Sequence, residues 1–153
     1  MASLSSRDTQ ARPGPNGAGR KVSRLRGLDF RLKALRSTAE LAPYSDSQLR
    51  PLLQYVDEVV VQEGCQVAVE GQLCSQFLIV TEGRLRVVSL HGGGHTLAAG
   101  DSWGWNEMWE RSVNDATIVA ETDARLLVMG HAQFRAVKAV AGRHANDSHG
   151  RLL

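Results

Sequence analysis

Trp103, Trp105 and Trp109, the three tryptophans of the 153-residue chain, fall within seven residues of one another, with Met108 between them. Indole rings supply a large flat apolar area and one N–H donor. Such a cluster suits a plug that packs on itself, an exposed hot spot for another protein, or a stacking pocket for an aromatic ligand. Glu107 and Arg111 add a carboxylate and a guanidinium to the same stretch. His91 and His95 bracket three glycines but lack a third ligand at metal spacing, and His144 and His149 lie in a polar tail, so all four read as exposed histidines. Cys65 and Cys74 have neither a CxxC spacing nor nearby histidines and read as reduced, partly buried thiols. There is no Gly-x-Ser-x-Gly elbow, Walker loop, His-Glu-x-x-His helix or paired-carboxylate arrangement. The expected class is therefore non-enzymatic, with no metal and no resident cofactor.

A second chemical feature is charge segregation. Residues 1–36 carry nine Lys or Arg against Asp8 and Asp29, whereas residues 37–153 carry nine against fourteen acids, which gives +7 in front and −5 behind. The basic arm, with Arg20, Lys21, Arg24, Arg26, Arg31 and Lys33, could attract nucleic acid or an anionic surface. It could equally solvate its charges while packing on its own domain.

The elements that must position these residues follow from composition and period. Residues 1–22 are rich in Ser, Gly, Pro and Arg and almost free of large apolar side chains, so they are expected to be disordered. Leu25, Leu28, Leu32 and Leu35, with Phe30 alongside, mark one apolar face of a basic amphipathic helix that ends before Pro43. Ser45 to Gln48 has the form of a capping box and opens a second helical stretch, which Pro51 either kinks or restarts. Short strands rich in Val, Ile and Leu are expected at 56–61, 65–69, 76–81, 84–90, 96–98, 116–120 and 124–129, with a closing helix at 133–140 and a frayed tail. Regular short strands argue for an antiparallel roll and against a βαβ fold. No apolar run is long enough to cross a bilayer and no signal peptide opens the chain, so a cytoplasmic location is expected.

Gly64, Gly71 and Gly83 stand at strand boundaries; Phe77 to Gly83 forms an apolar strand running into a turn; and Gly100-Asp101-Ser102-Trp103-Gly104 closes a hairpin. With Asp115 to Ala120, Thr122 to Val128 and Phe134, this pattern resembles the cyclic nucleotide-binding domain family over about residues 35 to 140. The resemblance implies a mainly β fold with flanking helices: an antiparallel double-stranded β-helix, or jelly-roll-like β-roll. It also implies a domain over 23–142, between a basic arm (1–22) and a flexible tail (143–153), and a phosphate-binding cassette that includes Gly104, Trp105, Asn106, Glu107, Asn114, Asp115, Ala116 and Thr117.

Family members usually carry Glu directly after the aromatic-glycine pair, to accept from the ribose hydroxyl, and Arg nine residues later, to pair with the cyclic phosphate. Those positions hold Trp105 and Asn114 here, at the same separation of nine. Both charges are absent, and the Trp105 indole is expected to fill part of the sugar space. A shifted alignment would use Glu107 and Arg111, but their spacing of four does not match. Only thirteen residues follow the closing helix, too few for the dimerising helix and DNA-reading domain of the family's transcription factors. The resulting expectation is a stand-alone regulatory or adaptor module acting through another protein. The alternative is a genuine cyclic-nucleotide or other small-ligand sensor with a non-standard pocket.

Overall fold

The computed structural model describes Lys21–Val22, as backbone, and residues 27–140. Arg20, Arg24, Arg26, Leu25 and the tail 143–153 lie outside the described residues, as does the expected disorder of residues 1–20. The elements are β1 (Lys21–Val22), α1 (Leu28–Arg36), α2 (Asp46–Leu49), a 3-10 helix (Arg50–Tyr55), β2 (Asp57–Val61), β3 (Gln66–Ala68), β4 (Gln76–Glu82), β5 (Leu85–Val88), β6 (Gly94–Leu97), β7 (Ser102–Trp103), α3 (Trp105–Glu110), β8 (Thr117–Ala120) and β9 (Ala124–Gly130). A last helix, α4, occupies 131–140.

The strands form two antiparallel sheets, ordered β1-β2-β9-β4-β7 and β3-β8-β5-β6. This is the expected β-roll with flanking helices. β4 is buried on both faces, which is why it reads as a continuous apolar run: Leu78 and Val80 join Leu85, Val87, Ile118 and Leu126 between the sheets. Phe77 and Ile79 face the other way, toward Leu35, Leu52, Met108, Leu127 and Phe134 under the helices. β5 alternates buried and exposed because its sheet leaves one face to solvent.

Several local features match the reading of the sequence. The Ser45 hydroxyl accepts from the Gln48 amide at 3.2 Å, while the Gln48 side chain accepts from the Ser45 amide at 2.8 Å, which completes the capping box. Pro51 lies in the first turn of the 3-10 helix, where no amide donor is needed, so the helix restarts and is not kinked.

Three features differ. Lys21–Val22, placed by composition in the disordered arm, pairs with Val60 and Val59 as an edge strand. β7 was too short for a periodicity argument and pairs with Leu78 and Ile79. The face of α1 is also rotated: Leu28 is 52% exposed, whereas Arg31, counted among the solvated basic residues, is buried and donates to the Leu53 carbonyl at 2.7 Å. That carbonyl belongs to the 3-10 helix packed on α1, where the guanidinium adds a shorter bond to the 3.4 Å one from the Val56 amide. Lys33 is exposed, as expected.

Candidate functional site: a cassette packed on the last helix

The cassette begins at a tight turn. The Asp101 carboxylate accepts from the Ala98 amide at 2.8 Å, and Gly100 and Asp101 each form a 2.9 Å backbone bond with Val80. β7 then lies along β4 and delivers the chain to Gly104, at φ 100°. A Cβ there would come within 2.6 Å of the Gln76 carbonyl, so glycine is required by close approach as well as by conformation. α3 follows and ends at Arg111 in the left-handed region (φ 57°). The return segment pairs irregularly with residues 71–74: Asn114 donates to Gln72 and accepts from Gly71, and Leu73 bridges to Val113.

On this frame the tryptophans separate. Trp105 meets the Phe77 ring edge-on at 5.4 Å and stacks with Trp109 at 5.9 Å; Trp109 in turn meets Phe134 of α4. Lys138, one helical turn beyond Phe134, lies 5.4 Å from the Trp109 ring centre and donates to the Trp109 carbonyl at 3.0 Å. Met108 is buried in the same cluster. Trp103 instead packs against the core between the sheets.

A cavity of about 230 Å³ opens beside Trp103, lined by Val87, Ser89, Gly92, Gly93, Gly94, His95, Trp103, Asp115 and Ala116. Trp105 is not part of its wall; the indole packs edge-on against Phe77 and against Phe134 of α4. Neither Glu107 nor Arg111 lines the cavity. Glu107 is half-buried, close enough to raise the Cys74 thiol electrostatically, while Asn106 and Arg111 are exposed. Burial is the larger cause that pushes the Cys74 thiol up, against a smaller lowering contribution from the Gln76 backbone.

Asn114 is 4% exposed, and its side-chain amide donates to the Val69 carbonyl at 3.0 Å. Its Oδ1 is buried without a hydrogen-bond partner. Thr117 accepts from the Glu70 amide at 3.0 Å, and Asp115 is exposed at the cavity rim. Sequence reasoning missed Ser89, Gly92, Gly93, Gly94 and His95 as cavity wall. The glycine run signalled only a turn, and topology alone brings β6 and Asp115 to the same opening. Among the described residues no group of three His, Cys, Asp or Glu could hold a metal, and no helix is long and apolar enough to cross a membrane.

Comparison with known proteins agrees with this architecture. The family model described as "Cyclic nucleotide-binding domain" matches residues 58–139, more than half of the chain. A protein of Ruegeria pomeroyi, named as a candidate cyclic nucleotide binding protein, superposes with a TM-score of 0.62 at 11% identity over 83% of this chain and 63% of its own. The regulatory subunit of a cAMP-independent protein kinase A from Trypanosoma brucei, as a triple variant bound to cAMP, gives 0.62 at 18% identity over 82% and 52%. The N-terminal domain of a transcriptional regulator from Streptomyces coelicolor gives 0.59 at 21% over 78% and 95%. The chain thus spans less than two thirds of the length of the first two. The β-roll, the glycine at the cassette entry and the matched segment have one conclusion in common: this chain belongs to the cyclic nucleotide-binding domain family.

Proposed function

We propose that the chain is a non-enzymatic regulatory or adaptor module that does not bind cAMP or cGMP in the usual way and acts through contact with another protein. The observation that carries this reading is the charge of the cavity: its wall contains the Asp115 carboxylate and no Lys or Arg. Asn114 sits where the family's arginine belongs and uses its amide to hold the Val69 carbonyl. A cyclic phosphate there would be desolvated beside a like charge with no cation to offset it, at a cost of several kcal/mol on the order of that for any unpaired buried charge. The trypanosomal relative supports the same logic, since the cAMP-bound triple variant of that cAMP-independent subunit has gained an arginine.

The cassette offers the contact surface: Trp109 is 41% exposed, and Leu73 and Val113, joined by a backbone bridge, are 56% and 51% exposed. Aromatic side chains that keep part of their area in solvent are frequent anchors of protein interfaces. Nucleic acid or an anionic surface would be reached only through the basic arm.

The test is calorimetric titration of the full chain with cAMP and with cGMP, repeated on an Asn114→Arg/Asp115→Ala variant. Silence from the wild type and binding gained by the variant are expected. Micromolar binding by the wild type would overturn the reading in favour of a sensor with an unusual pocket.

A further inference from the structure

The same cavity has positive requirements as well as an aversion to anions. Its wall combines an aromatic face (Trp103), a carboxylate (Asp115), a hydroxyl (Ser89) and an imidazole (His95). Asp115 is exposed and is engaged by none of the ion pairs among the described residues, so its charge is available. An indole beside a free carboxylate is the combination that recognises a guanidinium or ammonium group, through cation–π attraction and a charge-assisted hydrogen bond.

The rim of this cavity is a strand edge. β6 is the last strand of its sheet and pairs only with β5, and Gly94 and His95 belong to both β6 and the cavity wall. Its outer flank faces a second groove of about 450 Å³ that carries Glu40 and Asp101 together with His95 and Thr96. An edge strand presents unpaired backbone donors and acceptors, and the side chains of an added strand alternate between its two faces. Of the three grooves lined by β6 residues, these two carry carboxylates without a Lys or Arg, and the third sets Glu121 beside Arg86.

We propose that β6 accepts an extended basic peptide segment of a partner protein by strand addition, with one Arg or Lys side chain seated between Trp103 and Asp115. This deepens the reading of the chain as a protein-contact module and rests on it.

The experiment uses the full chain labelled with ¹⁵N and follows the three indole N–H cross-peaks, with Trp103→Phe assigning one of them. The probe is acetyl-TVRVT-amide, against the same peptide with citrulline in place of arginine. The arginine peptide should shift the Trp103 peak saturably, with amides 94–97 moving in parallel, and the citrulline peptide should bind roughly tenfold more weakly. Asp115→Asn should reduce affinity by a similar factor while leaving the rest of the spectrum in place. No shift, or equal shifts with both peptides, would overturn the proposal. If deleting residues 1–20 moves the Trp103 peak before any peptide is added, the occupant is the chain's own arm and the partner assignment falls. A Trp103 shift on adding cAMP would instead overturn the wider reading of the cavity, so the two failures are separable.

Discussion

The indole of Trp105 meets the ring of Phe134 edge-on, with centroids 5.4 Å apart and planes at 75°. This contact joins the cassette helix α3 to the last helix α4 and is extended by Trp109 and Lys138 on the solvent side. Tying the two helices together fixes the side to which the Trp105 indole turns. The cassette of this chain is therefore braced by aromatic packing that needs no ligand.

Removing the brace should be costly. Phe134 is buried, so Phe134→Ala is expected to destabilise the chain by about 3 to 5 kcal/mol, whereas Trp109→Ala, at a residue 41% exposed, should cost about 1 to 2 kcal/mol. Urea midpoints of the two variants check the order. A Phe134→Ala midpoint equal to wild type would contradict the packing described.

Glycine substitutions separate close approach from backbone conformation. Gly64 and Gly104 both have positive φ, but an added Cβ at Gly64 meets nothing within 4 Å, while at Gly104 it meets the Gln76 carbonyl at 2.6 Å. Gly64→Ala should cost about 1 kcal/mol and Gly104→Ala about 3 kcal/mol or more. Thermal unfolding of the pair measures the difference, and equal losses would show that the contact at Gly104 relaxes freely.

The buried guanidinium gives a third prediction. Arg31 bonds to the Leu53 carbonyl at 2.7 Å, and Arg31→Ala leaves that buried acceptor only the longer 3.4 Å bond from the Val56 amide; the expected loss is about 1 to 2 kcal/mol. Lys33, two residues on and exposed, should tolerate alanine within about 0.5 kcal/mol. If both variants unfold at the same denaturant concentration, Arg31 is not the anchor of α1.

A fourth concerns pH. Burial first, then Glu107, raises the Cys74 thiol, so the folded chain holds that proton to higher pH than the unfolded chain does. The sign follows from proton counts: below the ordinary thiol range both states are protonated and stability is full, and it falls as pH climbs from the unfolded value through the folded one. Denaturation midpoints should thus decline above about pH 8.5, and Cys74→Ala should flatten that part of the profile. An unchanged slope in the variant would remove Cys74 from the account.

Much of the scaffold was legible because it depends on local chemistry. The run from Phe77 to Val80 announced an apolar strand, which the structure buries on both faces, and Ser45 with Gln48 announced a helix start that the structure completes with both bonds. For the site, the sequence sets Trp105 and Asn114 where the resemblance expects Glu and Arg. What could not be read was direction. Spacing puts Trp105 at the start of α3, but only the placement of α4 shows that the indole packs on Phe134. Likewise the three- and four-residue spacing of leucines put Arg31 on the polar face of α1, because periodicity does not know that a 3-10 helix will present the Leu53 carbonyl there. The two-residue strands β1 and β7 carried no period at all, since pairing with β2 and β4 defines them.

β1 has a further consequence. It covers Val59 and Val60, in the middle of the five-residue strand β2, whose other side is taken by β9. Without those two residues the backbone edge of β2 at Val59 and Val60 would lie open, a template for self-association by strand pairing. The short segment Lys21–Val22 thus acts as a guard on colloidal behaviour. A protease that clips ahead of it should leave a well-behaved protein, whereas one that clips behind it should leave the same fold prone to precipitate on storage.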